Sequence, residues 1–351
     1  MKMLLLIPGL SFLILLIVLI WASYPWSLNE KIVKAEVLHF EPDGMVNNEE
    51  YPAVVKVQTW NLGFLYGIGS DGSAYEPKEK SFYEDKLNKL VEEIKTSAPD
   101  IICLQEIDFD SNRSYGINQA RYLAIKAAYP YVAEAVGWNS NYVPFPYLPF
   151  SHHFGRIVAG GAILSKYPIS SHQIHFLKKP LSKPWWYNIF YPHRYFQEVE
   201  IELGEKKVKL INLHLEAFDQ GDRKAQAQLL VDKIKNEKIQ LVAGDFNTLP
   251  LSATKKRKFQ ASEDDYESDT TYEILLKSEL AEVIPDSIYA LDESRYFTFP
   301  SNHPNRRLDY IFYDKSLKMI KAEVLPSALS DHLPLKATFQ ISTPVFNPYS
   351  Q

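Results

Sequence analysis

A single cysteine, Cys103, excludes an intramolecular disulfide, and its place inside the apolar run "DIICLQE" marks it as a small buried hydrophobe. Positive charge is slightly outnumbered, with 38 Lys and Arg against 43 Asp and Glu. The formal net charge of -5 argues against a protein that holds nucleic acid by a diffuse positive field, while leaving room for a local basic groove. There is no fixed-period repeat and no low-complexity tract, so repeat architectures are set aside. A mostly disordered chain is excluded as well, because 46% of the residues are hydrophobic and only 23% are charged. What is present is aromatic, at 13% Phe, Trp and Tyr, unevenly placed. A chain of 351 residues can bury a sizeable core in one or two domains.

The chain opens "MKMLLLIPGLSFLILLIVLIWASYPW", with no charge over the 20 residues from Met3 to Ala22. That length crosses a hydrocarbon core of ~30 Å as a helix. A cleaved signal peptide competes with this reading, but its apolar region is usually ~7 to 15 residues and ends at small residues. Here the run ends in Trp21, with Tyr24 and Trp26 close behind, rings suited to a membrane interface. The expectation is an uncleaved single-pass transmembrane helix within an anchor segment, residues 1–26. Lys2 before it and Lys31 and Lys34 after it orient the rest, weakly, to the extracytoplasmic side. Residues 27–50, mixed in charge, read as a tether, and residues 51–351 as one folded domain.

Within that domain "AVVKVQTWN" is a β-branched run ending at Asn61, and Lys78 to Ser97 places Phe82, Leu87, Leu90, Val91 and Ile94 at helical spacing before Pro99. "DIICLQE" is a second short buried strand, so the order begins β, α, β. Further strands are expected at "RIVAGGAILSKYPI", "RYFQEVEIEL", "KVKLINLHL", "IQLVAGDFN", "RLDYIFYD" and "PLKATFQIS", with a helix from Gly221 to Glu237. Mixed sheets packed on each other, with helices outside, satisfy this pattern.

Polar residues recur where these apolar runs end: Asn61, Glu106, His214, Asp245, Asn247, Asp309, Asp331 and His332. Any one of them is explained as a turn residue. Together, strand ends at one sheet edge can converge side chains from distant parts of a chain.

In "TWNLG", "LQE", "NLHL", "GDFN", "RRLDYIF" and "SDHLP", taken in this order, the chain resembles the endonuclease/exonuclease/phosphatase superfamily, from about Val54 to Phe339. The resemblance implies a DNase I-like four-layer α/β sandwich with two central mixed β-sheets. It also implies a metal-dependent phosphoesterase site on one edge. Phosphoester cleavage needs charge neutralised on the phosphoryl oxygens, a positioned water and help for the leaving oxygen. Glu106 is the candidate principal ligand for Mg²⁺ or Mn²⁺, supported by the amide oxygen of Asn61 and by Asp331, the same positions the family pattern assigns to the metal. Asp245 would orient and deprotonate water, and Asn247 would donate to a phosphoryl oxygen, with Phe246 anchoring the pair in the core. Asp309 matches the family acid that orients His332, which would stabilise the transition state. His214 would contact a phosphate oxygen or assist the leaving group.

Substrate is approached through the rings. "WNSNYVPFPYLPFSHHFGR" and "KPWWYNIFYPHRYF" are interrupted by proline and polar residues, which suits loops at a membrane interface or around a lipid better than core. They resemble, in character, the aromatic insertions of sphingomyelinase-like and membrane-linked members of the superfamily. The expected partners are a membrane lipid or phosphoester substrate and the membrane itself. A nuclease reading rests on "TKKRKF", but the acidic "SEDDYESD" follows at once and the two read as a self-neutralising loop. Gly63 also stands where the abasic-site nuclease branch commonly has an acid. A catalytically inactive binding module is disfavoured by the complete polar set, and no protein partner is inferable.

Overall fold

The central strands are buried on both faces, and that sets the architecture. The computed structural model describes residues 2–25, 31–41, 53–66, 76–260 and 264–341, with side chains from Leu10 onward in the first segment. In chain order the strands are β1 (Lys31–Lys34), β2 (Val37–His39), β3 (Val54–Asn61), β4 (Ile101–Asp108), β5 (Tyr131–Val143), β6 (Gly155–Ser165) and β7 (Ile169–Phe176). They continue as β8 (Tyr195–Leu203), β9 (Lys206–His214), β10 (Leu241–Asp245), β11 (Ala281–Glu282), β12 (Asp309–Tyr313), β13 (Lys318–Val324) and β14 (Leu335–Gln340). Two seven-stranded sheets result, ordered β1-β7-β8-β9-β10-β12-β11 and β13-β14-β3-β4-β6-β5-β2. Both are mixed: β9 with β10, and β3 with β4, run parallel within otherwise antiparallel neighbours.

Alternation along each strand divides the core. Cys103 of β4 joins Val57, Leu210, Ala243 and Ile311 in the core between the sheets. Its neighbours Ile102 and Leu104 face outward to a second cluster with Leu87, Leu90 and Leu123. Leu213 and Val242 face a third cluster with Ala227, Leu230 and Ile234. The helices that supply these outer residues are α2 (Lys80–Ser97) and α3 (Gln119–Lys126) on one side and, after α4 (Trp185–Phe190), α5 (Gln220–Glu237) on the other. The layers are thus helix, sheet, sheet, helix, as expected. α2 stops where Ala98 turns left-handed at φ 45° just before Pro99, and Tyr83 takes a buried place on its inner face beside Leu87 and Val91. The carboxylate of Asp219 caps α5, accepting the N–H of Asp222 at 2.9 Å.

Two stretches differ from the sequence reading, and a third is described only in part. Part of the expected tether is built into the sandwich, because β1 pairs with β7 and β2 with β5. These edge strands are short and largely exposed, so they carry no apolar pattern; residues 26–30 and 42–50 lie outside the described residues. Trp138 to Val143, expected in an aromatic loop, complete the 13-residue β5. Register shifts against β6 interrupt its alternation there.

The third is the expected transmembrane helix. Helix α1 (Lys2–Ser23) is present, but the side chains of residues 2–9 lie outside those described. Among the described residues no helix is long and apolar enough to cross a membrane. Apolar side chains from Leu10 to Ile20 are mostly exposed, whereas Ala22 and Ser23 are buried. Asn141 of β5 holds this end, donating its backbone N–H to the Tyr24 carbonyl at 3.1 Å and Nδ2 to the Trp21 carbonyl at 3.0 Å.

Candidate active site

Both parallel pairs end at one edge of the sandwich, and this brings the sequence candidates together. Asn61 ends β3, His214 ends β9, Asp245 ends β10, and Glu106 lies near the end of β4. Since β12 runs antiparallel to β10, its first residue, Asp309, sits opposite Asp245, which is itself opposite His214. The loop before β14 adds Asp331 and His332. Trp60 Nε1 fixes this loop by donating to the His332 carbonyl at 2.9 Å, and Ser330 Oγ donates to the Asn61 carbonyl at 2.6 Å.

The "GDFN" turn is anchored as its apolar centre suggests. Phe246 is fully buried, with ring centroids 5.4 Å from those of both Tyr310 and Phe312. Gly244 permits the close approach of β9, since a Cβ there would lie 2.0 Å from the Leu213 carbonyl oxygen. Asp245 then accepts from Asn61 Nδ2 at 3.0 Å and from the Asn247 N–H at 2.9 Å. Burial pushes its carboxyl up to about 7, against the opposing pull of His332. Asn247, at φ 51°, spends one amide proton on the Leu215 carbonyl at 3.0 Å, which leaves the other for a ligand.

The two histidines are driven to opposite states. Burial disfavours charge on His332, yet Asp309 and Asp245 outweigh it and raise the imidazolium to about 10. Its Nδ1 donates to Asp309 Oδ2 at 2.8 Å, and its Nε2 lies 3.7 Å from Asp245 Oδ2. Burial, Arg194 and His332 together hold His214 well below its ordinary value, hence neutral. Its Nε2 is 3.5 Å from Asp245 Oδ2 and its Nδ1 3.8 Å from Glu106 Oε1. Environments that push titratable groups apart in this way assign acid and base roles.

Glu106 adopts the left-handed φ of 49°, at a register shift of β4 against β6 between Leu104 and Ile107. Other non-glycine residues with positive φ, such as Ala98 and Lys238, end helices, whereas Glu106 adopts it within a strand at the site, where such strain is held by its surroundings. Burial raises its carboxyl, and the like charge of Asp331 raises it further. At Gly63, with φ +50°, a Cβ would lie 2.7 Å from Asp331 Oδ1, so the missing side chain makes room for that carboxylate. Asn61 Oδ1 accepts the Gly63 N–H at 3.0 Å and keeps a second lone pair. Glu106, Asp331 and the Asn61 amide oxygen, gathered at this edge, are hard oxygen donors of the kind that fit Mg²⁺ or Mn²⁺. Ligand atoms of Asp245, Asp309 and His332 also lie within 4.8 Å of one another. His332 is held protonated and bonded to Asp309 there, which suits proton handling rather than cation binding.

Sequence reasoning missed Arg194 and a polar bridge. Arg194 is buried just before β8, whose first residue, Tyr195, pairs with His214, and its Nε is 3.5 Å from Glu216 Oε2. Burial opposes its charge, but Tyr191, Glu216, Glu106 and Asp245 raise its pKa overall. An arginine at the head of an apolar strand was the available signal. Beneath the site, Gln105 Nε2 of one sheet donates to Asn212 Oδ1 of the other at 2.6 Å, and Asn212 Nδ2 donates to Gln197 Oε1 at 2.9 Å. No apolar pattern reveals such a bridge. Of the other histidines, His172 binds the Glu36 carbonyl and His175 pairs with Glu198, while His193 lines the cavity that Glu106 and His214 share.

The aromatic segments divide. Trp138, Phe154 and Phe190 pack with Val143 and Ile157. Phe145, Tyr147, Phe150, Trp185 and Trp186 are exposed. The basic run is partly neutralised, since Arg257 Nε lies 3.2 Å from Glu267 Oε1; Ser262 and Glu263 lie outside the described residues.

A family model for the Endonuclease/Exonuclease/phosphatase family matches residues 59–332. Among solved structures, an endonuclease/exonuclease/phosphatase from Beutenbergia cavernae DSM 12333 superposes with a TM-score of 0.57 at 17% identity, covering 83% of this chain and 72% of that one. One from Bacteroides vulgatus gives 0.54 at 16% identity, covering 83% of this chain and 100% of that one. The human Nocturnin catalytic domain with bound sulfate anion gives 0.52 at 20% identity, covering 83% and 94%. At these identities the likeness is one of fold. No curated protein matches the sequence.

Proposed function

Because this chain belongs to the endonuclease/exonuclease/phosphatase family, whose members are metal-dependent phosphoester hydrolases, we propose that it hydrolyses a phosphodiester of a lipid or lipid-linked headgroup at a membrane surface. The observation that carries this reading is that Glu106, Arg194 and His214 share one cavity with Phe145, Trp186 and Phe190, so the polar site and the rings are continuous. The charge-free run from Met3 to Ala22 supports anchoring through α1, with the catalytic domain on the extracytoplasmic side.

Glu106 and Asp331, with Asn61 Oδ1, would hold the cation, which when bound neutralises charge on the phosphoryl and leaving oxygens. The chain's own residues supply the rest. Asp245, with its carboxyl near neutrality, accepts a proton from the attacking water, and its bonds to Asn61 and to the Asn247 N–H keep it oriented. His332, charged against Asp309, donates through Nε2 to a phosphoryl oxygen. Arg194 adds a second positive charge at the cavity wall, and neutral His214 sits between Glu106 and Asp245, where its one ring N–H can donate to a substrate oxygen.

The full chain, presented with phospholipids, sphingomyelin, inositol phosphates and DNA in Mg²⁺ or Mn²⁺, tests this. Chelator-sensitive cleavage of a lipid phosphodiester is expected, with Glu106→Gln raising the metal concentration for half-maximal rate at least ~10-fold. Full activity in excess chelator overturns the metal assignment, and cleavage confined to DNA overturns the lipid one.

A further inference from the structure

We infer that the cavity leading from Glu106 and His214 binds the aliphatic chain of an amphiphilic phosphoester, and that the last turns of α1 form part of its wall. This rests on the phosphoester reading above. The cavity has a volume of about 550 Å³. Glu106, Arg194 and His214 belong to its lining, as do the apolar side chains of Trp138, Val143, Phe154, Ala159 and Phe190. Exposed rings of Phe145, Tyr147 and Trp186 mark its outer end.

Leu19 places the N-terminal helix in this wall. It is half-buried where Val18 and Ile20 are exposed, and it lines the same cavity. The contact is held in place, because Asn141 binds the carbonyls of Trp21 and Tyr24 from β5, the strand that also supplies Trp138 and Val143. The helix therefore contributes to the cavity wall through Leu19, and most of its apolar side chains from Leu10 to Ile20 are exposed.

The wall chemistry selects the occupant. Tyr191 turns its hydroxyl to Glu216, and Nδ1 of His193 meets the Leu177 carbonyl, so both polar atoms already have partners. The indole N–H of Trp138 is buried without a partner among the described residues, a lone donor that cannot match the several amide and carbonyl groups of a nucleobase edge, whereas methylene groups bring no polar atom to leave unpaired. Continuity with the polar site commits the chain to a molecule whose phosphoester lies at Glu106 and Asp245. Each methylene buried should tighten binding roughly fourfold.

The test uses the full chain in phosphatidylcholine nanodiscs with 4-nitrophenyl alkyl phosphate diesters, from methyl to dodecyl, kept below micelle formation. The dodecyl-to-methyl ratio of kcat/KM is expected to exceed ~100 and to level off once the cavity is filled. In Leu19→Asp and in Phe190→Gln that ratio should fall at least tenfold, with melting temperatures reporting that the variants fold. A second readout needs no turnover: a bromoalkyl phosphonate should quench tryptophan fluorescence in the parent, through Trp138 and Trp186, and less in the variants. An unchanged ratio and unchanged quenching in a folded Phe190→Gln chain overturn the proposal, because partition into the bilayer alone then explains the chain-length effect. Quenching that responds to the variants without chelator-sensitive release from any diester supports the chain site and overturns the hydrolase reading.

Discussion

Nδ1 of His332 donates to Oδ2 of Asp309 at 2.8 Å in a pocket where both side chains are buried. The pair keeps the imidazolium charged to about 10, above the 6.5 of an unperturbed histidine. A raised folded-state pKa stabilises the fold fully below the unfolded value and loses that contribution as pH rises through the folded one. In chelator, the melting temperature should therefore fall between about pH 6.5 and 10. Asp309→Asn should flatten that decline, which a melting series across pH reads directly. A decline of unchanged slope would detach His332 from Asp309.

Asp245 carries the base role, and Asp245→Asn retains its shape while removing that function. Turnover should drop at least ~100-fold with little change in melting. In the parent, kcat/KM should rise with pH through a limb at or below about 7, because burial sets the carboxyl there and a nearby cation lowers it further. Wild-type turnover in a folded variant would remove Asp245 from the chemistry.

Gly63 makes room for Asp331, and its φ of +50° is itself costly for a side chain. Gly63→Ala should lose about 1 kcal/mol of stability. It should also weaken Mg²⁺ or Mn²⁺ binding, measured by calorimetry, by displacing the Asp331 carboxylate. Metal affinity equal to the parent's would mean that Asp331 does not hold the ion.

Phe246 anchors the turn that presents Asp245 and Asn247. Phe246→Ala should destabilise the fold by roughly 3 to 5 kcal/mol in denaturant titration, the range for emptying a buried aromatic site. Phe246→Leu should cost less and retain more turnover. Loss of turnover in Phe246→Leu at parental stability would show that ring shape, beyond packing, positions the acid.

The strands and their polar ends were legible because both are local signals. In "LVAGDFN" the apolar alternation, the glycine and the two polar residues around Phe246 lie within a few positions of one another, and the strand, its end and the anchor all appear there. β1, β2 and the far half of β5 were not legible, since short edge strands and shifted registers carry no alternation. The aromatic segments were legible only as a composition. Which rings pack, like Phe154, and which stay exposed, like Trp185, depends on neighbours supplied by other strands.

By itself the sequence determined a two-sheet α/β fold and the order in which polar residues meet its strand ends, because backbone pairing and apolar burial follow near-neighbour patterns. Only the tertiary structure decided that His332 is charged and His214 neutral, that Arg194 and Glu106 line one cavity, and that Leu19 lines it too. Those outcomes come from desolvation and Coulomb interactions acting through space, between groups that the chain keeps far apart and the folded sheets bring within a few ångströms.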